Sequence, residues 1–328
     1  MKMIYVGQMS NTPDRDSGWV REFSRLGWEV VCFGTEIELH GSPLIRKFKK
    51  RFNIGSENAK LQKDLLDLAR RERPIWIHFR LPIEFSCTTI MKLKADDIIL
   101  TEYFNDDPFS SKTALGLHWK FRNALCVYDA HYVYRAHNIR TFQIAGAQHV
   151  SHCPPTYDNE RHTLDEHRPD EGYLADAAFI GHWENDWRAD CIEALHLAGF
   201  KLILKGGMWD RVIQNRPLSV FSPAQSVFGR EYNRIYANSM IGLCFFSKIN
   251  NDSWTERALE IVAVGGVLVC ERTPEAETYF TDREEAFFFS SIEELISIVF
   301  ELKHDLVKRE KVRAAGYRRL IGGQGQTI

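Results

Sequence analysis

The sequence predicts an α/β protein made of two halves, each built on a parallel sheet. Three observations carry this expectation. Short apolar strands alternate with helical segments along the chain, and that alternation implies parallel strands joined by right-handed crossovers. The length of 328 residues exceeds one ordinary domain and suits two of roughly 150 residues. Midway, Pro154 and Pro155 break the alternation, and the polar stretch Tyr157 to Gly172 reads as an interdomain linker. The expected division is 1–156, a linker at 157–173, and 174–328, with the terminal helix a candidate to pack back on the first domain. Two such halves facing across a linker would form a cleft, where ligands commonly bind.

In the first half, Met3 to Val6 reads as a strand, followed by a loop holding Asp14 and Asp16. A helix from about Gly18 to Leu26 leads through Gly27 to a strand at Glu29 to Phe33. Leu61, Leu65 and Leu68 share one face of a helix over Glu57 to Arg71. Trp76 to Phe79, Ile98 to Phe104, Cys126 to Val133 and His149 to Cys153 are further strands. In the second half, strands at Ala177 to Ile180, Lys201 to Leu204 and Ile241 to Phe245 alternate with helices near Asp186 to Ala198 and Glu231 to Asn238. Two helices, Ile292 to Leu302 and Asp305 to Leu320, close the chain.

The stretch Asp252 to Cys270, DSWTERALEIVAVGGVLVC, is the most informative. Asp252 or Ser253 can cap a helix start, and Ala258, Ile261 and Val262 form its inward stripe. Gly265 and Gly266 end the helix, where a left-handed residue is needed, before the buried strand Val267 to Cys270. Glu256 and Glu260 share one helix face. A carboxylate at such a junction can accept hydrogen bonds from a ribose diol; the plainer reading is a solvated helix surface.

Composition excludes several classes. At 44% hydrophobic and 26% charged residues the chain is an ordinary soluble globular protein. A net charge of −2 argues against a dedicated nucleic-acid binder. The start, MKMIYVG, runs straight into a strand with no cleavage signal, and no stretch approaches the roughly 18 apolar residues that would span a membrane. The 7 cysteines are scattered without a C-x-x-C pair and read as reduced core residues of a cytoplasmic protein.

Several residues are candidates for chemistry. Gly181 follows a strand and precedes His182, Trp183 and a helix, whose free N–H groups and positive dipole end suit a phosphate. No G-x-G-x-x-G and no P-loop is present, so the usual dinucleotide and ATP readings lack support. Lys205, at a strand end before Gly206 and Gly207, can neutralise a diphosphate leaving group or be a plain turn lysine. Arg257 is a second cation, or half of an intrahelical pair with Glu260. Asn105, Asp106 and Asp107 end a strand before Pro108; they suit an acceptor hydroxyl or a base, or a hydrogen-bonded turn. Asp14, Asp16, His131 and Arg135 are weaker candidates. No D-x-D spacing and no ligand cluster suggests a metal site. The run Arg46 to Arg51, RKFKKR, reads first as a solvated basic loop, with an anionic acceptor or a membrane surface as the other reading.

These pieces, in order, resemble the CgeB-like glycosyltransferases, the spore-maturation type with a GT-B fold. The matching segments are IYVG, YFNDDPF, VYDAHYVYRAHN followed by GA, CPPTYD, FIGHW with Arg188, KGGMW, GREYNRIYANSMIGLCFF, and TERALEIVAVGGVLVCERTPE with YFTDREEAFFFSSIEEL. The last block is also similar to the donor-binding element of retaining enzymes with an E-x7-E motif. The resemblance implies two Rossmann-like domains, with a nucleoside diphosphate sugar on the C-terminal one and the acceptor on the N-terminal one. It puts Glu260 on the donor ribose and Gly265 and Gly266 in the following turn. Asp252 stands where the motif has its first glutamate. Gly181 and Lys205 fall at the diphosphate contacts, with Arg188 or Arg257 as partner to the lysine.

The expected reaction is glycosyl transfer without a metal or other cofactor, through an oxocarbenium-like transition state, with Lys205 and helix N-termini stabilising the leaving diphosphate. If the enzyme inverts, Asp106, Asp107 and Asp16 are the candidate bases. Two alternatives stay open: a sugar-nucleotide epimerase of the same fold, and a non-catalytic morphogenetic or binding protein. The expected location is cytoplasmic, with peripheral contact at the inner membrane face through Arg46 to Arg51.

Overall fold

The alternation of strand and helix produces two separate parallel sheets, one in each of the units Met1–Pro154 and Pro155–Ile328. The computed structural model describes residues 1–9, 16–113, 116–164 and 172–324. In the first unit β1 (Lys2–Gly7), β2 (Glu29–Gly34), β3 (Trp76–Arg80), β4 (Ile99–Phe104), β5 (Ala130–Val133) and β6 (Val150–His152) pair in the order β2-β1-β3-β4-β5-β6. Its helices are α1 (Ser17–Arg25), α2 (Pro43–Phe52), α3 (Ser56–Glu72), α4 (Cys87–Lys94), α5 (Trp119–Ala124) and α6 (Ala136–Ile144). In the second unit β7 (Ala175–Ile180), β8 (Leu202–Lys205), β9 (Ser239–Cys244), β10 (Leu268–Glu271) and β11 (Phe287–Phe289) pair in the order β11-β10-β9-β7-β8. Between and after them run α7 (Arg188–Leu197), α8 (Gly229–Ala237), α9 (Glu256–Ala263), α10 (Ala276–Tyr279), α11 (Ile292–His304) and α12 (Leu306–Arg319).

Each sheet winds first one way and then the other. β2 lies on one side of β1 and β3 on the other; β8 and β9 flank β7 in the same manner. Successive loops therefore leave the carboxyl edge in opposite directions at β1/β3 and at β7/β9. Those are the crevices where open α/β sheets take ligands.

The second sheet is buried on both faces, as its predominantly apolar strands demand. Ala178, Ile180 and Leu268 meet Tyr236 of α8 and Ala258, Ile261 and Val262 of α9. On the opposite face Phe179, Ile241 and Leu243 meet Ile192 and Leu195 of α7 and Leu295 and Ile298 of α11. The first sheet packs Ile4, Val6, Ile77, Phe79 and Leu100 against Leu61, Leu65, Leu68, Ile90 and Phe121. Its other face is aromatic. Trp19 of α1 lies 5.1 Å from Tyr103, and Phe23 lies 5.1 Å from Trp76, ring centre to ring centre.

Five expectations are corrected. Cys126 to Val133 is not one strand: Leu125–Val127 is a 3-10 turn and only Ala130–Val133 pairs in the sheet. The run Arg46 to Arg51 is not a loop but the end of α2, started by Pro43 and capped by the Ser42 side chain accepting from Ile45 N. The described part of the polar stretch after Pro155 is no free linker. Tyr157, Asp158 and His162 are buried in the second unit, and Asn233 Nδ2 donates to Arg161 O; residues 165–171 lie outside the described ones. The cysteines are all unbridged, yet Cys32 and Cys126 are exposed and only Cys191, Cys244 and Cys270 are buried. Cys32 sits on the edge strand β2, where an apolar run is not enclosed. The terminal helix α12 packs within the second unit: Leu320 beyond it joins the core beside α9, and Arg319 Nε donates to Tyr279 O at 3.1 Å.

Candidate functional site

The loops after β7 and β8 are built against each other. Gly181 N donates to Lys205 O at 2.9 Å, and Trp183 N to Gly207 O at 3.0 Å. The buried Trp209 donates through Nε1 to Gly181 O at 2.9 Å. Gly206 has φ +136°, and a Cβ there would stand 2.0 Å from Gly181 O, which is backbone and cannot yield. Gly206→Ala should therefore cost well over the roughly 1 kcal/mol of an ordinary glycine replacement, at least ~3 kcal/mol, since strain and a backbone collision add. A melting curve close to that of the parent would show that the two loops can separate. A cavity of about 290 Å³ opens beside this junction, lined by Gly206, Gly207, Trp209, Pro223, Gln225 and Ser226.

Arg257 rises from the first turn of α9 and reaches over the carboxyl ends of β7 and β9. Its guanidinium carbon lies 5.6 Å from the Phe179 ring centre, and Nη2 would be 3.1 Å from a Cβ at Gly181. Cys244, the last residue of β9, is its neighbour; burial first of all pushes that thiol up to about 12, against the pull of Arg257. Lys205 pairs in register with Ile180, so its side chain leaves the sheet on the α8–α9 side. Among the described residues no carboxylate lies within ion-pair distance of Lys205 or Arg257. Arg257 thus lies over the carboxyl ends of β7 and β9, where the charge of Glu260 favours its ionised form, and Lys205 ends β8 on the other side of β7. A half-buried cation without a partner costs free energy that an anionic ligand would recover.

Arg188 is excluded from this role. It is buried, binds Asp186 through two hydrogen bonds of 2.8 and 2.7 Å, and donates to His182 O at 2.7 Å. It fastens the loop that carries Gly181 and His182. His182 itself is exposed, its ring packed over Gly207.

Glu260 follows Arg257 by one turn. Its Oε2 accepts from the hydroxyl of the half-buried Tyr232, and His162 Nε2 lies 3.8 Å from Oε1. The carboxylate has four lone-pair directions, so it can still accept from a second hydroxyl pair. Burial, then the Glu260 charge, holds the Tyr232 hydroxyl well above its ordinary range, which keeps it a donor. Tyr232 and Tyr236 escaped the sequence reading, although their i, i+4 spacing on α8 was the available signal. Tyr236 OH accepts from Ile180 N at 3.0 Å, fastening the end of β7.

Three expected contacts are elsewhere. Gly265 and Gly266 close α9 at the amino edge of β10, a helix length from Gly181 on the carboxyl edge. Gly265 (φ +83°) makes the turn, and Gly266 N donates to Ile261 O at 2.8 Å. They shape the helix end and do not line the crevice. Asp252 does not cap α9, which begins at Glu256 after Thr255. Its backbone N donates to Ser247 O within the β9–α9 loop. Ser253 is drawn away by Glu275, to which its hydroxyl donates. Glu256 is the first residue of α9, half-buried at the same carboxyl edge.

In the first unit the carboxylates are mostly engaged. Asp16 is buried in an ion pair with Arg80, and its Oδ2 accepts from Gln8 N at 2.7 Å, filling the β1/β3 crevice. Asp107 is buried; its Oδ1 accepts from Phe109 N at 3.0 Å and from Asn138 Nδ2 at 3.1 Å, the hydrogen-bonded turn of the plainer reading. Asp106 is half-buried, 4.0 Å from Nε2 of the buried His118. Arg135 holds this loop by donating to Asn105 O at 2.9 Å. His131 is enclosed in the core with Glu102 at 2.7 Å and reaches no surface. Asp14 lies outside the described residues.

Residues 188–324 match a family model described as glycosyl transferase-like. No curated protein sequence matches the chain. Among solved structures, sucrose-phosphate synthase from Thermosynechococcus elongatus superposes with a TM-score of 0.68 at 11% identity, over 99% of this chain and 95% of that one. The Anabaena protein HepE in complex with UDP-glucose gives 0.62 at 12% identity, over 100% and 96%. A Listeria monocytogenes protein described as a UDP-N-acetylglucosamine 2-epimerase gives 0.59 at 8% identity, over 100% and 99%. At these identities the likeness shows the fold, which is GT-B.

Proposed function

We propose that the chain is a glycosyltransferase that draws its sugar from a nucleoside diphosphate sugar held by the second unit. The observation that carries this is that Lys205 and Arg257, neither of them in an ion pair among the described residues, stand at the carboxyl ends of β8 and of β7 and β9, beside the glycine loops of Gly181 and Gly206. In this reading the diphosphate lies between them, and Glu260, oriented by Tyr232, accepts from the ribose hydroxyls. The cavity beside Gly206 and Gly207 takes the base. The matched block at 188–324 and the UDP-glucose complex of the Anabaena relative support the same chemistry. The narrower form of the proposal is a CgeB-like hexosyltransferase, working in the cytoplasm on an acceptor held by the first unit.

Departure of the nucleoside diphosphate places new negative charge on the bridging oxygen. Lys205 and Arg257 stabilise it in place of a metal ion, and the sugar develops oxocarbenium character as the bond stretches. Should the reaction invert, Asp106, Asp107 and Asp16 are the candidate bases, Asp106 lying half-buried 4.0 Å from His118 Nε2.

The test has two parts. A panel of nucleoside diphosphates and their sugars, read by thermal shift and calorimetry, should yield one that binds. Glu260→Ala should then weaken it by about 1.5–3 kcal/mol, the range for a hydrogen bond to a charged group. Unchanged affinity in a folded variant removes Glu260 from the ribose. Transfer should also persist in EDTA; loss restored by manganese or magnesium would contradict the two-cation scheme. Turnover of the donor with no acceptor present would point instead to the epimerase reading.

A further inference from the structure

Helix α2 stands apart from every other helix described. Its Arg46, Lys47, Lys49, Lys50 and Arg51 are five cations in a ten-residue helix with no acidic residue. Its apolar residues are not in the core: Leu44 is 80% exposed, Ile45 51% and Phe48 56%. A helix that buries none of its residues gains little from the protein it is attached to.

The two kinds of side chain are sorted. At helical spacing Leu44, Ile45, Phe48 and Phe52 fall on one side, and Arg46, Lys47, Lys50 and Arg51 on the other. Only the end of the helix is fastened. Lys49 Nζ contacts Glu57 at 2.7 Å and donates to His40 O at 3.1 Å, and Asn53 Nδ2 donates to Ile83 O at 3.0 Å. The apolar side continues beyond the helix. Phe48 and Phe52 rings lie 4.8 Å apart, and Trp119, 37% exposed, donates through Nε1 to Phe52 O at 2.9 Å. A tryptophan at the rim of an apolar strip flanked by lysines suits the boundary between hydrocarbon and water.

We propose that this face docks on an anionic lipid surface, with α2 lying in the interface plane. Leu44, Phe48 and the Trp119 rim would enter the acyl boundary, and Arg46, Lys47 and Lys50 would meet lipid phosphates. Charge decides the occupant. A second copy of the chain meeting this face across a two-fold axis would set its cations against their own copies. Against an overall charge of −2, a local concentration of five cations is complementary to an acidic surface. No described helix is long and apolar enough to cross a membrane, so the contact is peripheral.

The experiment is co-sedimentation of the full chain with vesicles of phosphatidylglycerol mixed with phosphatidylcholine, and with phosphatidylcholine alone. Binding to the mixed vesicles, weakened by added salt, is expected, with little to the neutral ones. The double variant Lys47→Gln/Lys50→Gln should weaken it about 25-fold, roughly fivefold per charge removed. Phe48→Ser should weaken it at least ~10-fold at unchanged charge. Both variants alter exposed side chains, so melting curves should match the parent and exclude unfolding. No sedimentation with anionic vesicles, or variants that bind like the parent, overturns the proposal. So does a parent that is dimeric in solution and becomes monomeric on Phe48→Ser, which would assign the face to self-association.

Discussion

Arg257→Met should lower turnover by about 10²–10³, the loss seen when one group stabilising a developing oxyanion is removed. The substitution keeps an apolar stem beside Phe179 and Cys244, so packing is largely preserved while the charge is lost. Nucleoside diphosphate affinity should fall as well, because in the proposed scheme the guanidinium meets the same phosphates before and after the bond breaks. Arg257→Lys is an informative companion: it restores a charge but not the planar fork, and should recover turnover only in part. If Arg257 merely packs over the end of β7, Arg257→Met will turn over nearly as well as the parent. That outcome, in a variant with a native melting curve, would move the leaving-group chemistry to Lys205 alone.

Acid should unfold the first unit through His78. Burial, aided by the Arg80 charge, lowers this imidazole from its ordinary 6.5 to about 3. The ring is enclosed by Tyr5, Trp19, Phe23 and Trp76, and its Nδ1 lies 2.8 Å from Thr101 Oγ1. Thr101 accepts from Trp76 Nε1 at 2.7 Å and keeps its own hydroxyl proton to donate to Nδ1, an arrangement that suits the neutral ring which burial favours. The unfolded chain binds a proton that the folded chain refuses between pH 6.5 and about 3. Stability is therefore complete above 6.5 and falls as pH drops through that window. The full effect is on the order of 4 kcal/mol, a large part of a typical domain's stability. Glu102, whose carboxyl burial holds up, titrates with the opposite sign, so the measurement must isolate the histidine. His78→Gln cannot titrate. Its denaturant midpoint should fall less steeply between pH 6.5 and 4 than the parent's, by up to about 1.4 kcal/mol per pH unit. Parallel slopes would show that His78 accepts its proton in the folded state.

Much of the architecture was legible because the strands of these sheets are short and continuously apolar. Met3 to Val6, Ala177 to Ile180 and Val267 to Cys270 have no polar residue that would let them face water. The inward stripe of α9 was equally plain, since Ala258, Ile261 and Val262 repeat at helical spacing and are buried. What misled was the assignment of helix ends and loops. Asp252 and Ser253 both have capping chemistry, yet Ser253 serves Glu275, 22 residues away. Arg46 to Arg51 looks like a loop when only its charge is read; the apolar residues between the cations make it a helix with two unlike sides.

At the site, residue types and their neighbours in the chain established Gly181, Lys205 and Gly206 as strand ends with open backbone, because those properties depend on consecutive residues. Local sequence also placed Arg257 and Glu260 one turn apart. Whether the two pair with each other depends on residues far along the chain. Tyr232 takes one oxygen of Glu260, and the crevice between β7 and β9 takes Arg257. The same holds for the choice between Arg188 and Arg257, which differ in that Asp186 neutralises only the first. Periodicity and turn chemistry are written into neighbouring residues. The compensation of a charge depends on distances in space, and these arise only when the strands are ordered and the helices packed across them.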